Sequence, residues 1–366
     1  MFIKVNHKIP TLAECRAIAA AKPEFIEIAK SDYIVFDYAI NDSHTFDFPS
    51  SLEMRGIAFN AETGELVGLG LHKFFNLGEK PDQKLVLSSE AEALEKIDGS
   101  MIRVIRTNTN PRGWVLGTRA GETTHSQYAE DFIADKPKYV AFIDACIAGG
   151  IHPIFEYWSP LNSVVIRYAE PFLHLIAMRN RLGDYLSYKD MKHIADSFGY
   201  IDIANSYTAD IKSIISSYHQ LKGIEGFVIR SNSGWVKLKT DEYCQLHKAV
   251  SKCQFDKDIA EMVLSGTIDD AIALLPSPRK EEVSDLRDKI VHFMTTTKHD
   301  ISSSLPNLIA ETNGDRKSIA LKIVDDKFRA EIFAALDGKL ESTIKKRIFT
   351  ASRTLSSWET FAKDFL

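Results

Sequence analysis

The apolar residues of this chain change their spacing once, near Thr240, and that change decides what each side of it can fold into. Before it, short runs of apolar or alternating residues are bounded by turn residues. They are Tyr33–Tyr38, Arg55–Asn60, Leu66–Leu71, Met101–Arg106, Trp114–Arg119, Pro153–Trp158, Ser163–Tyr168, Phe172–Met178, Gly226–Arg230 and Trp235–Lys239. Such runs read as strands. Helical spacing appears around Thr11–Ala21, Ser126–Ala148, Tyr188–Ser197 and Ala209–Leu221. Many short strands joined by turns, with a few helices among them, predict an α+β domain with antiparallel sheets rather than repeated βαβ units. After Thr240 the spacing is helical almost throughout, with Asp and Ser start signals and with Pro276, Pro278 and Pro306 as punctuation. The 366 residues suffice for two domains. The boundary is expected near residues 245–255, giving an α+β domain over 1–248 and an all-α domain over 249–366.

The formal net charge is −5, so the chain as a whole does not advertise a polyanionic partner. A local cationic surface is sufficient for one, and the tail carries a candidate. Between Arg316 and Arg353, ten cations face five anions: Asp325, Asp326, Glu331, Asp337 and Glu341. Cys15, Cys146, Cys244 and Cys253 are scattered, with no Cys-x-x-Cys pair and no His cluster at zinc spacing, so reduced thiols in a cytosolic protein are expected. Met1–Pro10 has no apolar core, so no signal peptide is expected. The most apolar stretch, Tyr139–Phe155, is interrupted by Asp144 and Gly149-Gly150 and is too short to span a membrane.

The chemistry centres on Lys96-Ile97-Asp98-Gly99-Ser100, which precedes the β-rich run Met101–Arg106. A lysine beside an Asp-Gly turn can be held at a strand end, facing a cleft. A free lysine is protonated at neutral pH and is a poor nucleophile. Desolvation or neighbouring cations lower its pKa and activate it. Alone, Lys-x-Asp-Gly is more often a surface hairpin.

The tetrapeptide has company in a fixed order. Upstream stand Met54-Arg55-Gly56-Ile57 and Lys73-Phe74-Phe75-Asn76-Leu77. Downstream come Phe155-Glu156-Tyr157, a carboxylate inside an apolar strand, then Glu225-Gly226, then Lys237-Leu238-Lys239, with two lysines on one face of a strand. This order resembles the covalent nucleotidyltransferase superfamily of ligases and RNA capping enzymes. There, Lys-x-Asp-Gly is motif I, the strand glutamate motif III, Glu-Gly motif IV and Lys-x-Lys motif V. Within the superfamily the two upstream segments, and Thr240-Asp241-Glu242-Tyr243 with Leu246-His247 after motif V, are similar to the bacteriophage T4 RNA ligase 1 type. The resemblance runs from about Tyr33 to Leu275.

The resemblance implies a nucleotidyltransferase (adenylation) domain in which Lys96 attacks the α-phosphorus of ATP and carries AMP covalently. It implies nucleotide contacts from Tyr38, Arg55, Lys73, Arg119, Glu156, Lys237 and Lys239. It also implies Mg²⁺ at Glu156, Glu225 and Asp269, since hard carboxylate and phosphoryl oxygens suit that ion. Asp98, Gly99, Tyr243 and Asp270 are further active-site candidates. The implied reaction joins 5′-phosphate and 3′-hydroxyl RNA ends through lysyl-AMP and RNA-adenylate. Its implied setting is repair of RNA, tRNA with a broken anticodon loop foremost, in a cytoplasm (the host's, for a phage-encoded chain). A polynucleotide kinase/3′-phosphatase is the implied functional partner for ends that need trimming, and no membrane is involved. Two alternatives stand beside it. A DNA ligase or capping guanylyltransferase would usually append an OB-fold barrel after motif V, against the helical spacing seen here. A non-catalytic RNA-binding module would form no adduct. No role for Arg179, at a strand end, is readable from the residues.

Overall fold

The computed structural model describes every residue except 1, 6, 43, 81–86, 88–90 and 325, and for residue 49 the backbone only. Asp325, one of the tail anions counted above, therefore lies outside the described residues. The chain divides into two compact units, Met1–Cys244 and Gln245–Leu366.

The first unit holds the strands β1 (Phe2–Ile3), β2 (Phe25–Ala29), β3 (Tyr33–Tyr38), β4 (Ile57–Asn60), β5 (Leu66–Gly68), β6 (Phe75–Asn76) and β7 (Glu92–Lys96). It continues with β8 (Ser100–Arg106), β9 (Trp114–Gly117), β10 (Ile151–Trp158), β11 (Phe172–Asn180), β12 (Tyr185–Leu186), β13 (Gly226–Ser231) and β14 (Gly234–Lys239). They form three sheets, ordered β2-β3-β4-β5, β1-β12-β11-β10-β8-β9 and β6-β14-β13-β7. Only the short β14–β6 pairing is parallel among the described strands. The expected antiparallel α+β architecture is therefore what the chain forms.

Buried apolar faces explain the layering. Tyr33, Val35, Ala58 and Val67 of the first sheet pack on Ile105 and Val115 of the second. The second sheet's other face carries Phe155, Leu175 and Leu116 against Ala129, Phe142 and Met191, which lie on three helices, Thr124–Ile133, Pro137–Ala148 and Tyr188–Ser197. The third sheet lays Phe227, Ile229, Val236 and Leu238 on the short helix Ile211–Ser217.

Several local readings differ from this outcome. The helical run Ser126–Ala148 is two helices, because Pro137 starts the second at its first turn. Ser163–Tyr168 is not a strand. Its backbone N–H groups at Val165 and Ile166 donate to Asp98, at 2.8 and 2.7 Å, instead of to a ladder. Ala209–Leu221 shortens to Ile211–Ser217 with a 3₁₀ turn on either side. Pro306 does not punctuate; it lies inside the helix Arg279–Glu311.

In the second unit, Ile290, Phe293, Ile344, Ile348, Trp358 and Phe361 make the main core. Among the described residues no strand follows Lys239. Among the described residues, tail cations paired within the unit include Arg316 with Asp337, Lys322 with Glu311, Lys345 with Glu341, and Arg347 with the buried Glu331. All four cysteines are free. Among the described residues no helix is long and apolar enough to cross a membrane.

Candidate active site

The Lys-x-Asp-Gly turn is where the chain steps from one sheet to another. Lys96 is the last residue of β7, in the third sheet, and Ser100 opens β8, in the second. A cavity of about 590 Å³ lies against this step. Strand register sets its floor. Lys96 pairs across Gly226, which pairs across Lys239, and the next row is Leu94, Val228 and Lys237. Alternation puts these side chains on one face, opposite the apolar face that packs on Ile211–Ser217.

Gly226 has φ +145°, and a Cβ there would lie 1.8 Å from the Leu238 carbonyl oxygen. Only glycine fits, and the missing side chain leaves the middle of the row open between the two lysines. The preceding Glu225, 2% exposed, fills that place. Its Oε1 accepts from Lys96 Nζ at 2.7 Å and from Lys239 Nζ at 3.0 Å.

Gly99 is also obligatory. A Cβ would lie 2.5 Å from the Tyr157 carbonyl oxygen and 3.1 Å from Glu156 Cγ, so the turn seats directly on β10. Asp98 is buried, and its hydrogen bonds show what it does. Besides the two backbone donors of the 163–168 loop, Oδ1 accepts from the Tyr243 hydroxyl at 2.8 Å. Asp98 and Tyr243 thus hold the turn in place, and the Tyr243 ring also lies 4.8 Å from Lys239 Nζ.

Arg55, Arg119, Glu156, Lys237 and Lys239 line the cavity with Lys96. Burial first, then Glu225 and Asp98, raise the Glu156 carboxyl to about 8 against the pull of Lys96 and Arg55. Burial first, then Arg55, Lys96, Lys73 and Lys239, lower the Lys237 amine to about 6. The strongly discharged lysine is thus Lys237. Lys96, expected to be the uncharged amine, sits at ion-pairing distance from a buried carboxylate.

Two expected nucleotide contacts stand back from the wall. Lys73, 7% exposed, is enclosed by the rings of Tyr38, Phe46 and Phe75 at 5.1, 5.1 and 5.2 Å. Tyr38 stacks under Arg119, 4.2 Å from its guanidinium carbon, and its hydroxyl accepts from Arg119 Nη1 at 3.0 Å. Burial works to raise the Tyr38 pKa, but Arg119, Arg55 and Lys73 outweigh it and lower it. Asp269 and Asp270 belong to the second unit, where Asp269 is paired with Arg287 at 2.7 Å. Among the described residues no three metal-ligating side chains form a cluster.

The supports of the site went unread in the sequence. Arg179, fully buried, donates to both oxygens of Glu53 at 2.6 and 2.8 Å, and His7 Nε2 lies 2.6 Å from Glu53 Oε1. This network fixes the turn that presents Arg55. Arg230, 1% exposed, is paired with Glu92 at the start of β7. The available signal was common to both: an arginine inside an apolar strand must find a buried partner.

A family model described as RNA ligase matches residues 53–244. A protein of Thermovibrio ammonificans described as "Putative RNA ligase" is 26% identical over 325 residues, which is 84% of this chain and 84% of its own. A "Putative bifunctional polynucleotide kinase/RNA ligase" of Autographa californica nuclear polyhedrosis virus is 27% identical over 256 residues, 63% of this chain and 36% of that longer one. RNA ligase 1 of bacteriophage TS2126 is 23% identical over 223 residues, 56% of this chain and 53% of its own.

Proposed function

The chain belongs to the RNA ligase family of the T4 RNA ligase 1 type, and from that premise we propose that its cavity binds ATP and that Lys96 is the nucleophile. One observation carries the reading. Lys96 and Lys239 share a single carboxylate oxygen of Glu225 at the floor of a cavity that Arg55, Arg119 and Lys237 also line. A triphosphate entering there meets cations from three separate segments, which offset its charge as the α-phosphorus is attacked.

Lys96 must lose a proton before its lone pair can reach phosphorus. Glu225 Oε1, at 2.7 Å, is within reach to hold that proton. The N–P bond forms as the bond to pyrophosphate breaks, leaving AMP on Lys96. The 5′-phosphate of RNA then displaces Lys96 from AMP, and a 3′-hydroxyl finally displaces AMP. Each transfer develops negative charge on phosphoryl oxygens, so one set of cations serves all three. Glu156 and Glu225 are two carboxylates beside the phosphate-binding cations. That donor set suits a magnesium ion arriving on the triphosphate, which keeps waters and takes few protein ligands. Bound there, the ion would supply charge neutralisation to the phosphoryl oxygens.

The helical domain, residues 249–366 of the sequence reading, is proposed to recognise RNA shape and backbone, with tRNA broken in its anticodon loop as substrate. The tail cations Lys317, Lys346 and Arg353 are the residues first in question. The relative named for both kinase and ligase activity supports a polynucleotide kinase/3′-phosphatase as functional partner. The proposed setting is the cytoplasm.

The test is incubation with α-labelled ATP and Mg²⁺, without RNA. Label stable to acid, absent with Lys96→Ala and with GTP, and released by pyrophosphate is expected. Adduct in Lys96→Ala would place the nucleophile elsewhere. Joining of 5′-phosphorylated RNA, and not of nicked DNA, is expected in the second assay.

A further inference from the structure

Arg103 is 0% exposed, and none of its three guanidinium nitrogens has a protein acceptor among the described residues. An unpaired buried cation is costly and calls for a reason. The surroundings are shaped to it. A Cβ on Gly68 would lie 2.6 Å from Arg103 Nη1, one on Gly56 would lie 3.3 Å from Nε, and one on Gly70 would lie 3.5 Å from Cδ. Gly68, and less tightly Gly56, thus clear a slot for this side chain, with Gly70 at ordinary contact distance from its stem. The Gly56 position is also 2.9 Å from the Arg119 Cα and carbonyl oxygen, so the two arginines flank one glycine. Gly56 N donates to the Phe36 carbonyl at 2.8 Å, which brings Asp37 to the same spot.

Asp37, 6% exposed, is the carboxylate that Arg119 pairs with, and its charge also acts on Arg103. It accepts from Arg119 Nε at 3.1 Å to each oxygen and from Nη2 at 2.9 Å. Arg119 lines the cavity, but its guanidinium is committed to Asp37 and to Tyr38. A phosphate that draws the whole guanidinium inward would take Nε and Nη2 from Asp37 and strand a buried carboxylate. We infer that Arg103 is a positioning residue that takes over the Asp37 carboxylate when an anionic nucleotide draws Arg119 into the cavity. The unpaired guanidinium in its glycine slot is the waiting partner of that exchange. Burial lowers the Arg103 pKa to about 10, against the smaller opposing pulls of Tyr33 and then Asp37.

This inference rests on the cavity's being the ATP site. The experiment uses the full chain with α-labelled ATP and Mg²⁺ and reads the ATP concentration giving half the maximal rate of adduct formation. Arg103→Met is expected to raise it about 10-fold in the wild-type background, with a smaller effect on the maximal rate. In an Asp37→Asn background the same change is expected to alter it less than about 2-fold, because no carboxylate then needs a partner. Arg103→Lys is expected within about 3-fold of wild type. Without nucleotide, Arg103→Met is expected to melt no lower than wild type, since the charge has no partner to lose. An Arg103→Met effect equal in both backgrounds, or no effect, overturns the inference. A fall in melting temperature, or failure to fold, overturns it too, because either makes Arg103 a support of the unliganded fold. Absence of adduct from the wild type would remove the parent reading and this one together. Adduct from the wild type with an indifferent Arg103→Met removes this one alone.

Discussion

Lys237→Met keeps most of the length of a half-buried side chain and deletes its charge, so it separates what the amine does for binding from what it does to stability. Burial and the cations Arg55, Lys96, Lys73 and Lys239 hold the amine at about 6, against 10.5 when free. At pH 7 the unfolded chain keeps this lysine protonated and the folded chain does not. By linkage at ~1.4 kcal/mol per pH unit, that difference costs about 5 kcal/mol. Part of the side chain remains open to the cavity, and solvent screening cuts the figure to about 2 kcal/mol. A depressed lysine weakens the fold most below its folded value and not at all above its unfolded one. The gain from Lys237→Met is therefore largest below pH 6 and fades as pH rises toward 10.5. Near pH 7 it amounts to about 4–8 °C in melting temperature for a unit of this size. The assay is thermal unfolding of both proteins without nucleotide from pH 5.5 to 9, followed by adduct formation with labelled ATP. Adduct formation is expected to fall about 10- to 100-fold while stability rises. A variant that melts at or below wild type at pH 7, or whose advantage grows with pH, would refute the argument.

Gly99→Ala should drive a methyl into the Tyr157 carbonyl, costing about 1–3 kcal/mol and slowing adduct formation about 100-fold; a normal rate would show that the turn can lift off β10 harmlessly. Arg179→Met should strand Glu53 and cost about 3–5 kcal/mol in denaturant unfolding, with much of it recovered in Arg179→Met/Glu53→Leu. Glu156→Gln removes a carboxyl held at about 8, whose raised value makes wild-type stability fall as pH climbs from 4.5 to 8; the variant should lose that part of the slope.

Much of this architecture was legible in the apolar spacing, and the reasons for the exceptions are physical. β3 and the helix Tyr188–Ser197 match their readings residue for residue, because period and flanking residues agree there. Ser163–Tyr168 looked like a strand because periodicity counts side chains, whereas its backbone donors are spent on Asp98. β7 is missing from the strand runs read above. Its residues include Glu92 and Glu95, whose charges are answered by Arg230 and Asn205, both far off in sequence. The site shows the same limit. Order along the chain brought Lys96, Glu156, Glu225, Lys237 and Lys239 forward together. It could not show that Asp98 faces inward or that Lys73 sits inside three rings, because both depend on contacts made in three dimensions.

On the proposed reading, the division of labour among the lysines follows from how each is compensated. Lys96 and Lys239 have a carboxylate between them, whereas Lys237 faces cations and burial, with the Phe74 ring 4.8 Å from its Nζ. Arg119 is likewise compensated, by Asp37. The unliganded cavity thus carries less net positive charge than its side chains suggest. An entering polyphosphate supplies the missing anions itself. It favours protonation of Lys237 and competes with Asp37 for Arg119, so positive charge appears where and when the phosphates arrive. Neutralising a cation by burial and releasing it to a ligand costs stability in the empty protein. It returns that energy as binding to a highly charged substrate, which a permanently solvated cluster of the same residues would spend on water.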